Sequence, residues 1–593
     1  MKIKILLFAI VNCFFFTQAQ YIVNDVGELS DLKKLPLEKA YIDHTGPLLF
    51  SGEYLYYALH CFNAQSNKVS NISQIAYVAL VNESKEYLFE HKIKLKAGQG
   101  FGDFFISTQI PSGKYKLLGY TKWMKNAGLS QIFKDDIIIV NPYLADQSAL
   151  LVESKKSKNS DNPTNLSSGV RDTATISIST DKINYSPRQK VELSIRNFKG
   201  VLGHGTYTIK VKRKEELPVS NALDAVSYAT SYFNADKQIE KKLGDSIFLP
   251  EQRGELFYGT VKNNSTGEPV ADVPVIISIP GEEFILKSAQ TDQSGNFYSY
   301  LRKDYKSPIA VVQIEGTDDS YSIVKGVIPN LKLDSLTFSN FKLEDEFADY
   351  IKNRSVLNQI ENQFFMVRPD SILEGNPIDP FDGGIPEIFV LDDYTRFPTF
   401  EETMVEVIKF TGYRKNGVGN DYIRVAQDFK SYNEQYNDYP AIILIDGVFI
   451  PNHEDIRKFD ARKIEKISLT RNQFRLGNKN YQGIISVKTF DGDYLSGYVA
   501  KNSLQVSLNQ PVPRKNYFVQ TYKTDESKFS NIPDYRRLLF WKPSITIDAS
   551  SYSFEFFTSD LEGEYEIILN GFTYYGKPLT VVKKINVVVD GLN

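Results

Sequence analysis

Short runs of alternating apolar and polar residues fill much of the chain. Between positions 39 and 142 the runs "SGEYLYYALHCF", "QIAYVALVN", "GFGDFFIS" and "SGKYKLLGYTKWM" are broken by glycine and turn residues. In the first run Tyr54, Tyr56, Ala58, His60 and Phe62 fall on one face of a strand. Period-two runs separated by turns at regular spacing predict an antiparallel sandwich. The polar, turn-rich stretch Glu153 to Gly169 predicts a linker or exposed loop. A second strand series opens at "TISISTDKINYSPRQKVELSIRN", where Val191, Leu193 and Ile195 alternate with polar residues. Both series place an aromatic after a Lys, then a turn, then a strand, which predicts a weak internal repeat of one sandwich type. A third β unit, roughly 254 to 330, carries turns at Thr266-Gly267 and Ser294-Gly295.

Two stretches carry helical spacing. In "LEDEFADYIKNRSVLNQIENQFF" the residues Leu343, Phe347, Ile351, Leu357, Ile360 and Phe364 form an imperfect stripe, read as packing surface. In "RFPTFEETMVEVIKFTGY" Thr399 and Glu402 have the spacing of a capping box, and Gly412 is the expected stop. Met404, Val405 and Ile408 would lay this second helix on the strands that follow. In "AIILIDGVFI" Ile443 and Ile445 lie on one face and Ile442 and Leu444 on the other, so the strand should be buried on both. Asp446-Gly447 then reverses the chain. "EKISLTR" turns Ile467 and Leu469 to the core, and "GIISVKTF" from Gly483 adds a further strand.

The fold class is therefore mainly β and multidomain: several antiparallel β-sandwiches plus one small α+β domain. The expected order is a signal peptide over 1–19, a sandwich over 20–142, a linker over 143–173 and a second sandwich region over 174–250. A third sandwich over 251–335, a helical connector over 336–385, the α+β domain over 386–497 and a C-terminal sandwich over 498–593 complete it.

A length of 593 residues suits several domains, and 42% hydrophobic with 24% charged residues is an ordinary globular balance. The 36 Tyr and 39 Phe suit strands. A net charge of -3 gives no electrostatic footprint for nucleic acid. Lys2 and Lys4, the apolar run Ile5 to Phe16 and the small residues Thr17 and Ala19 form an export signal, with Gln20 expected to begin the mature chain. The run is too short to span a bilayer as a retained anchor, and no later stretch is long and apolar enough, so no transmembrane segment is expected after signal removal. Cys13 would leave with the signal. Cys61 would be the one mature cysteine, expected to be a small buried residue.

The chemistry-bearing residue types do not assemble into a catalytic pattern. His44, His60, His91, His204 and His453 show no i, i+4 pair and no HExxH, so no metal site is expected. There is no G-x-S-x-G elbow and no phosphate-cradling loop, so neither catalytic nor cofactor-binding residues are assigned. The paired acids in "DGDYLSG" and "VLDDYTRF" lack the spacing of a calcium loop and read as solvated turns. "YRRLLFWKP" reads as a strand start with Trp541 in the core, over the rival reading of a patch for a glycan or partner.

Three resemblances follow from quoted motifs. Asp446, Gly447 and Val448, then Ile464, Glu465 and Ile467, then Gly483, Ile485, Val487 and Thr489 resemble the plug domain of TonB-dependent outer-membrane receptors. Val487 replaces that family's usual Ile. A receptor plug precedes a barrel of roughly 22 strands, and the chain after Thr489 is too short for one, so the expectation is a plug-like module without its own barrel. "TDKINYSPRQKVELSI" and "GPLLFSGEYLYYAL" with "GKYKLLGYTKWM" look like macroglobulin-type sandwiches. "LHCFN" at Cys61 is unlike the thioester loop of that family, so trapping by thioester is not expected. "GTVKNNSTGEPVADVPVIIS" with "TDQSGNFYS" looks like the accessory β-sandwich of carboxypeptidases. The order of modules resembles exported envelope proteins of Bacteroidota.

These resemblances imply a non-enzymatic envelope scaffold or adaptor, periplasmic or outer-membrane-associated, docking on an outer-membrane barrel or transporter. Loops near His453, Asn472 and Phe474 are the expected partner contacts, with Asp446, Gly447 and Gly483 as the plug-like motif. The alternative is a module that binds a glycan or peptide beside an uptake system.

Overall fold

The computed structural model describes residues 21–23, 25–151, 175–233, 239, 241–315, 320–326, 330–373, 375, 378–415, 421–427, 438–497, 503–522 and 531–589. The expected export signal and the polar stretch Glu153 to Gly169 lie outside these residues. The fold is mainly β, built from several antiparallel sandwiches and one smaller α+β unit.

The first sandwich pairs a three-stranded sheet with a five-stranded one. Tyr54–Asn63 lies between Glu38–His44 and Gln99–Phe105. Facing it, Leu48–Phe50, Phe133–Val140, Gly113–Tyr120, Ile75–Asn82 and Tyr87–Lys94 lie side by side, the first pair parallel and the rest antiparallel. The inward residues, among them Ile42, Leu59, Val78, Leu80 and Leu117, are buried in one cluster. Cys61 is buried there as a free thiol, and burial pushes its pKa up, which keeps it unreactive.

The second sandwich repeats this topology strand for strand. Lys190–Asn197 lies between Ile176–Thr180 and Ser551–Phe557. Opposite run Asn184–Tyr185, Pro578–Val587, Gly563–Thr573, Gly205–Arg213 and Leu538–Ile547. Here too only the short strand, Asn184–Tyr185, pairs parallel, with Pro578–Val587. Val191, Leu193 and Ile195 are fully buried, as their alternation requires. The separate sandwich expected over 498–593 does not exist. Strands Leu538–Ile547, Ser551–Phe557, Gly563–Thr573 and Pro578–Val587 complete the sandwich begun before residue 214, because the strands up to Arg213 cannot close two sheets alone.

The difference between the repeats is one hairpin. In the first sandwich Ile75–Asn82 turns directly into Tyr87–Lys94. In the second, the equivalent pair is Gly205–Arg213 with Leu538–Ile547, and everything between is inserted at its tip. The ends of the insertion meet: the Arg213 N–H donates to the Arg537 carbonyl at 2.7 Å.

A second nesting sits inside the first. The third sandwich has sheets Asn296–Leu301, Glu255–Asn263, Tyr321–Lys325 and Ile285–Gln290, Pro274–Ile279, Ile309–Ile314, Ser503–Ser507. Its last strand arrives after the α+β unit, so the boundary expected at 335 is also crossed. Its turn glycines Gly267 and Gly295 have φ of 72° and 70°, as the two turns require.

Helix Ala348–Gln363 departs from its expected stripe. Its buried residues are Arg354, Ser355 and Asn358. Ile351 packs beside Leu343 and Phe347, but Leu357, Ile360 and Phe364 are only partly buried. The helix faces a polar seam, so ion pairs rather than an apolar stripe fix its rotation.

Val191→Asp should lower stability by about 4 kcal/mol, because a carboxylate would sit unpaired between two sheets. Thermal and urea unfolding of the purified variant measure this; an unchanged midpoint would mean the position faces water.

Candidate functional site

The α+β unit holds every residue singled out as a site. Its sheet runs Glu387–Val390, Ile464–Leu476, Lys479–Thr489, Ile442–Ile445, Val448–Phe449. Ile442–Ile445 pairs parallel to Lys479–Thr489, and the other pairs are antiparallel. On one face Ile443, Ile445, Ile467, Leu469, Ile485 and Val487 pack under helix Phe400–Glu406. The capping box of Thr399 and Glu402 is present. Met404 and Ile408 cover the sheet, but Val405 is 69% exposed. The helix stops at Val407, before Gly412, which lies in strand Thr411–Lys415.

On the other face Ile442, Leu444 and Ile484 pack against Ile276 and Phe284 of the third sandwich. Polar bonds ring this contact. Glu282 meets Lys466 at 3.2 Å and Lys488 at 2.7 Å, and Glu315 meets Lys479 at 2.9 Å. The Phe449 N–H donates to the Ser278 hydroxyl at 3.1 Å. Both faces of Ile442–Ile445 are thus buried, as its unbroken apolar run demands.

The motif residues act as a staple. Asp446 and Gly447 have φ of 50° and 83°, the two left-handed residues of a tight hairpin turn. The Asp446 carboxylate accepts from the Thr489 N–H at 2.8 Å, the Thr489 hydroxyl at 2.7 Å and the Tyr494 N–H at 3.3 Å. Its backbone carbonyl accepts from the Gly281 N–H at 3.0 Å. A Cβ on Gly447 would lie 2.7 Å from that Gly281 nitrogen, so only glycine lets the third sandwich approach. Gly483, with φ of 85°, sits at the irregularity where Ile464–Leu476 and Lys479–Thr489 shift register between Thr470 and Gln473.

The expected partner residues do not form exposed loops together: His453 lies in a buried turn, and Asn472 and Phe474 lie in a strand. His453 is 7% exposed. Its Nδ1 accepts from the Ile423 N–H at 2.8 Å, and its carbonyl accepts from the Tyr413 hydroxyl at 3.1 Å. It fastens the hairpin Thr411–Lys415 and Asp421–Val425 to the sheet, a tertiary contact that no local pattern announces. Burial lowers its pKa to about 4. Asn472 is exposed but lies within strand Ile464–Leu476, and Phe474 in the same strand packs half-buried at the third-sandwich contact.

The exposed apolar surface is elsewhere. Ile385 is 89% exposed, Ile388 57% and Val390 39%. Ile388 and Val390 belong to edge strand Glu387–Val390, which among the described residues is paired on one side only. The third sandwich covers this face of the sheet only as far as the lysines Lys466 and Lys488 that meet Glu282. The sequence signal is "EIFVLDD", where both faces of a short strand are apolar. Asp392 of that stretch is tied to Arg396 at 2.6 Å in a solvated turn. Trp541 is buried in its strand, against Ala58 and Phe101 of the first sandwich.

Among the described residues no group of three His, Cys, Asp or Glu side chains could hold a metal ion. No described helix is long and apolar enough to cross a membrane.

No family model matches the chain, and no curated protein matches it either. Solved structures of bacterial alpha-2-macroglobulins align with it. The Salmonella protein reacted with methylamine is 9% identical, with a TM-score of 0.23, over 93% of this chain and 40% of its own. The native Escherichia coli protein is 9% identical, with a TM-score of 0.24, over 96% and 41%. The chain thus spans about two fifths of those molecules. At such scores the alignments carry no argument about function.

Asp446→Ala should cost about 2 kcal/mol, since three donors lose one half-buried acceptor; chemical denaturation of the variant reads this directly. His60, like His453, is buried, with its pKa lowered to about 4. The unfolded chain, with imidazoles near 6.5, binds these protons first. Stability should therefore be flat above about pH 6.5 and fall as pH drops toward about 4. Ring titration by NMR checks it: a His453 midpoint near 6.5 would contradict the buried, neutral assignment.

Proposed function

We propose that this protein is a non-enzymatic scaffold or adaptor of the cell envelope, with macroglobulin-like and carboxypeptidase-regulatory-like sandwiches supporting a plug-like unit. The plug-like unit contacts an outer-membrane barrel or transport protein through its open edge strand. The observation that carries this reading is the pair Ile388 and Val390, with Ile385 just before them, exposed on a strand that among the described residues is paired on one side only. Edges of this kind are normally blunted by charge or covered, because they pair with a further strand. Among the described residues the opposite edge and the adjoining sheet surface are covered by the third sandwich, which supports this edge as the contact surface. The expected export signal and periplasmic or outer-membrane-associated location fit such a role.

The tagged full chain, captured from detergent-solubilised envelopes, should bring down a β-barrel outer-membrane protein in stoichiometric amount. The double substitution Ile388→Asp with Val390→Asp should abolish that capture while shifting stability by no more than about 0.5 kcal/mol, because both side chains are solvent-facing. Deleting residues 386–497 should have the same effect on capture. Undiminished capture by the double variant would make the plug-like unit a spacer and move the contact to the sandwiches.

A further inference from the structure

Where the insertion leaves and re-enters the second sandwich, a cleft of about 190 Å³ opens against the first sandwich and helix Ala348–Gln363. Its apolar wall includes Tyr54 and Phe365, whose rings stack with centroids 5.4 Å apart. Six cationic side chains and three carboxylates line it. Three of the cations are fully engaged. Arg354 grips Glu53 at 2.8 and 2.9 Å and Glu215 at 2.8 Å. Arg536 grips Asp534 at 2.7 Å through two nitrogens, and Arg213 meets Glu216 at 2.9 Å.

The other three are under-used. Lys212 makes a 3.5 Å contact with the Thr45 carbonyl. Arg537 bonds the Tyr350 hydroxyl at 3.0 Å and stands 3.7 Å from Glu215, which Arg354 already holds. Arg368 is 6% exposed, bonds Glu361 and the Pro533 carbonyl and stands 3.9 Å from Asp534, yet its buried Nε has no hydrogen-bond partner. An unsatisfied buried donor on a charged group is costly, and Arg368 is one of the side chains that line the cleft. Local electrostatics agree: burial and Lys210 lower Lys212 to about 8, and burial with Arg354 lowers Arg537.

We infer that this cleft binds an oxyanion headgroup, carboxylate or phosphate, carried on a small apolar body that lies along Tyr54 and Phe365. Lys212, Arg537 and Arg368 receive the anion; guanidinium forks suit either oxyanion. The space admits a ligand of about ten heavy atoms, since one water needs roughly 10–15 Å³ on the same measure. The site is independent of the plug-like edge and does not depend on the role proposed for it.

Calorimetric titration of the full chain with benzoate, phenyl phosphate and neutral benzamide tests the inference at low salt near neutral pH. One or both anions should bind and weaken as salt is added, and benzamide should not bind. Benzoate alone binding identifies carboxylate as the headgroup; phenyl phosphate alone identifies phosphate. Lys212→Gln and Arg537→Gln should each weaken binding about tenfold, and Lys212→Arg should retain it. Glu361→Gln, which removes the carboxylate competing for Arg368, should tighten it. Matched melting curves verify that each variant is folded, and Arg537→Gln carries the test if Lys212→Gln is not. The inference is overturned if neither anion binds at millimolar concentration, if benzamide binds equally, or if Glu361→Gln weakens the anion.

Discussion

The pairing of Gly205–Arg213 with Leu538–Ile547 is the constraint on which the rest of the molecule depends. It is a hairpin whose turn has been replaced by two nested domains. Closing so long a loop costs about 5 kcal/mol in chain entropy if the insert is a flexible coil. Folded inserts whose ends lie together avoid much of that cost, and the bond between Arg213 and Arg537 shows the ends together. The same device recurs one level down, where the third sandwich waits for Ser503–Ser507 until the α+β unit has been traversed.

Units joined in this way need fixed relative placement, and paired charges recur in the seams between them beside apolar contacts. Lys210 of the second sandwich meets Asp43 of the first at 2.5 Å in a buried pair. Lys122 meets Glu251 at 2.8 Å, and Lys92 meets Glu255 at 2.5 Å, where the first sandwich touches the third. Arg354 joins its helix to both the first and the second sandwich through Glu53 and Glu215. Removing one partner of such a pair leaves a buried charge unmatched, a loss of about 3–5 kcal/mol. An apolar seam tolerates sliding, whereas paired charges are satisfied in one register only. That explains why the connector helix buries Arg354 and Asn358 in place of its apolar stripe.

The Asp446-Gly447 turn and Thr489 have a physical meaning. Aspartate, glycine and a threonine far along the chain are held at one corner because the carboxylate must satisfy the end of the last strand. Gly447 is required by the neighbouring sandwich as well as by the turn. In this chain the motif residues stabilise the unit's own corner and its seam, and the surface left open is the opposite edge of the sheet.

The sequence by itself determined the local elements. Alternation placed Val191, Leu193 and Ile195 inward, two-sided apolarity buried Ile442–Ile445, and Asp446-Gly447 and the Thr399–Glu402 box marked a turn and a helix start, because each depends on neighbours within a few residues. The weak repeat between the first two strand series was legible for the same reason. Only the tertiary structure decided which strands share a sheet, that the C-terminal strands close the second sandwich, that His453 is sealed under a hairpin, and that Lys212, Arg368 and Arg537 face one cleft. Those outcomes rest on contacts between residues far apart in the chain. Their partners are chosen by shape and charge at the seams, and a periodicity of two or of 3.6 carries no record of that choice.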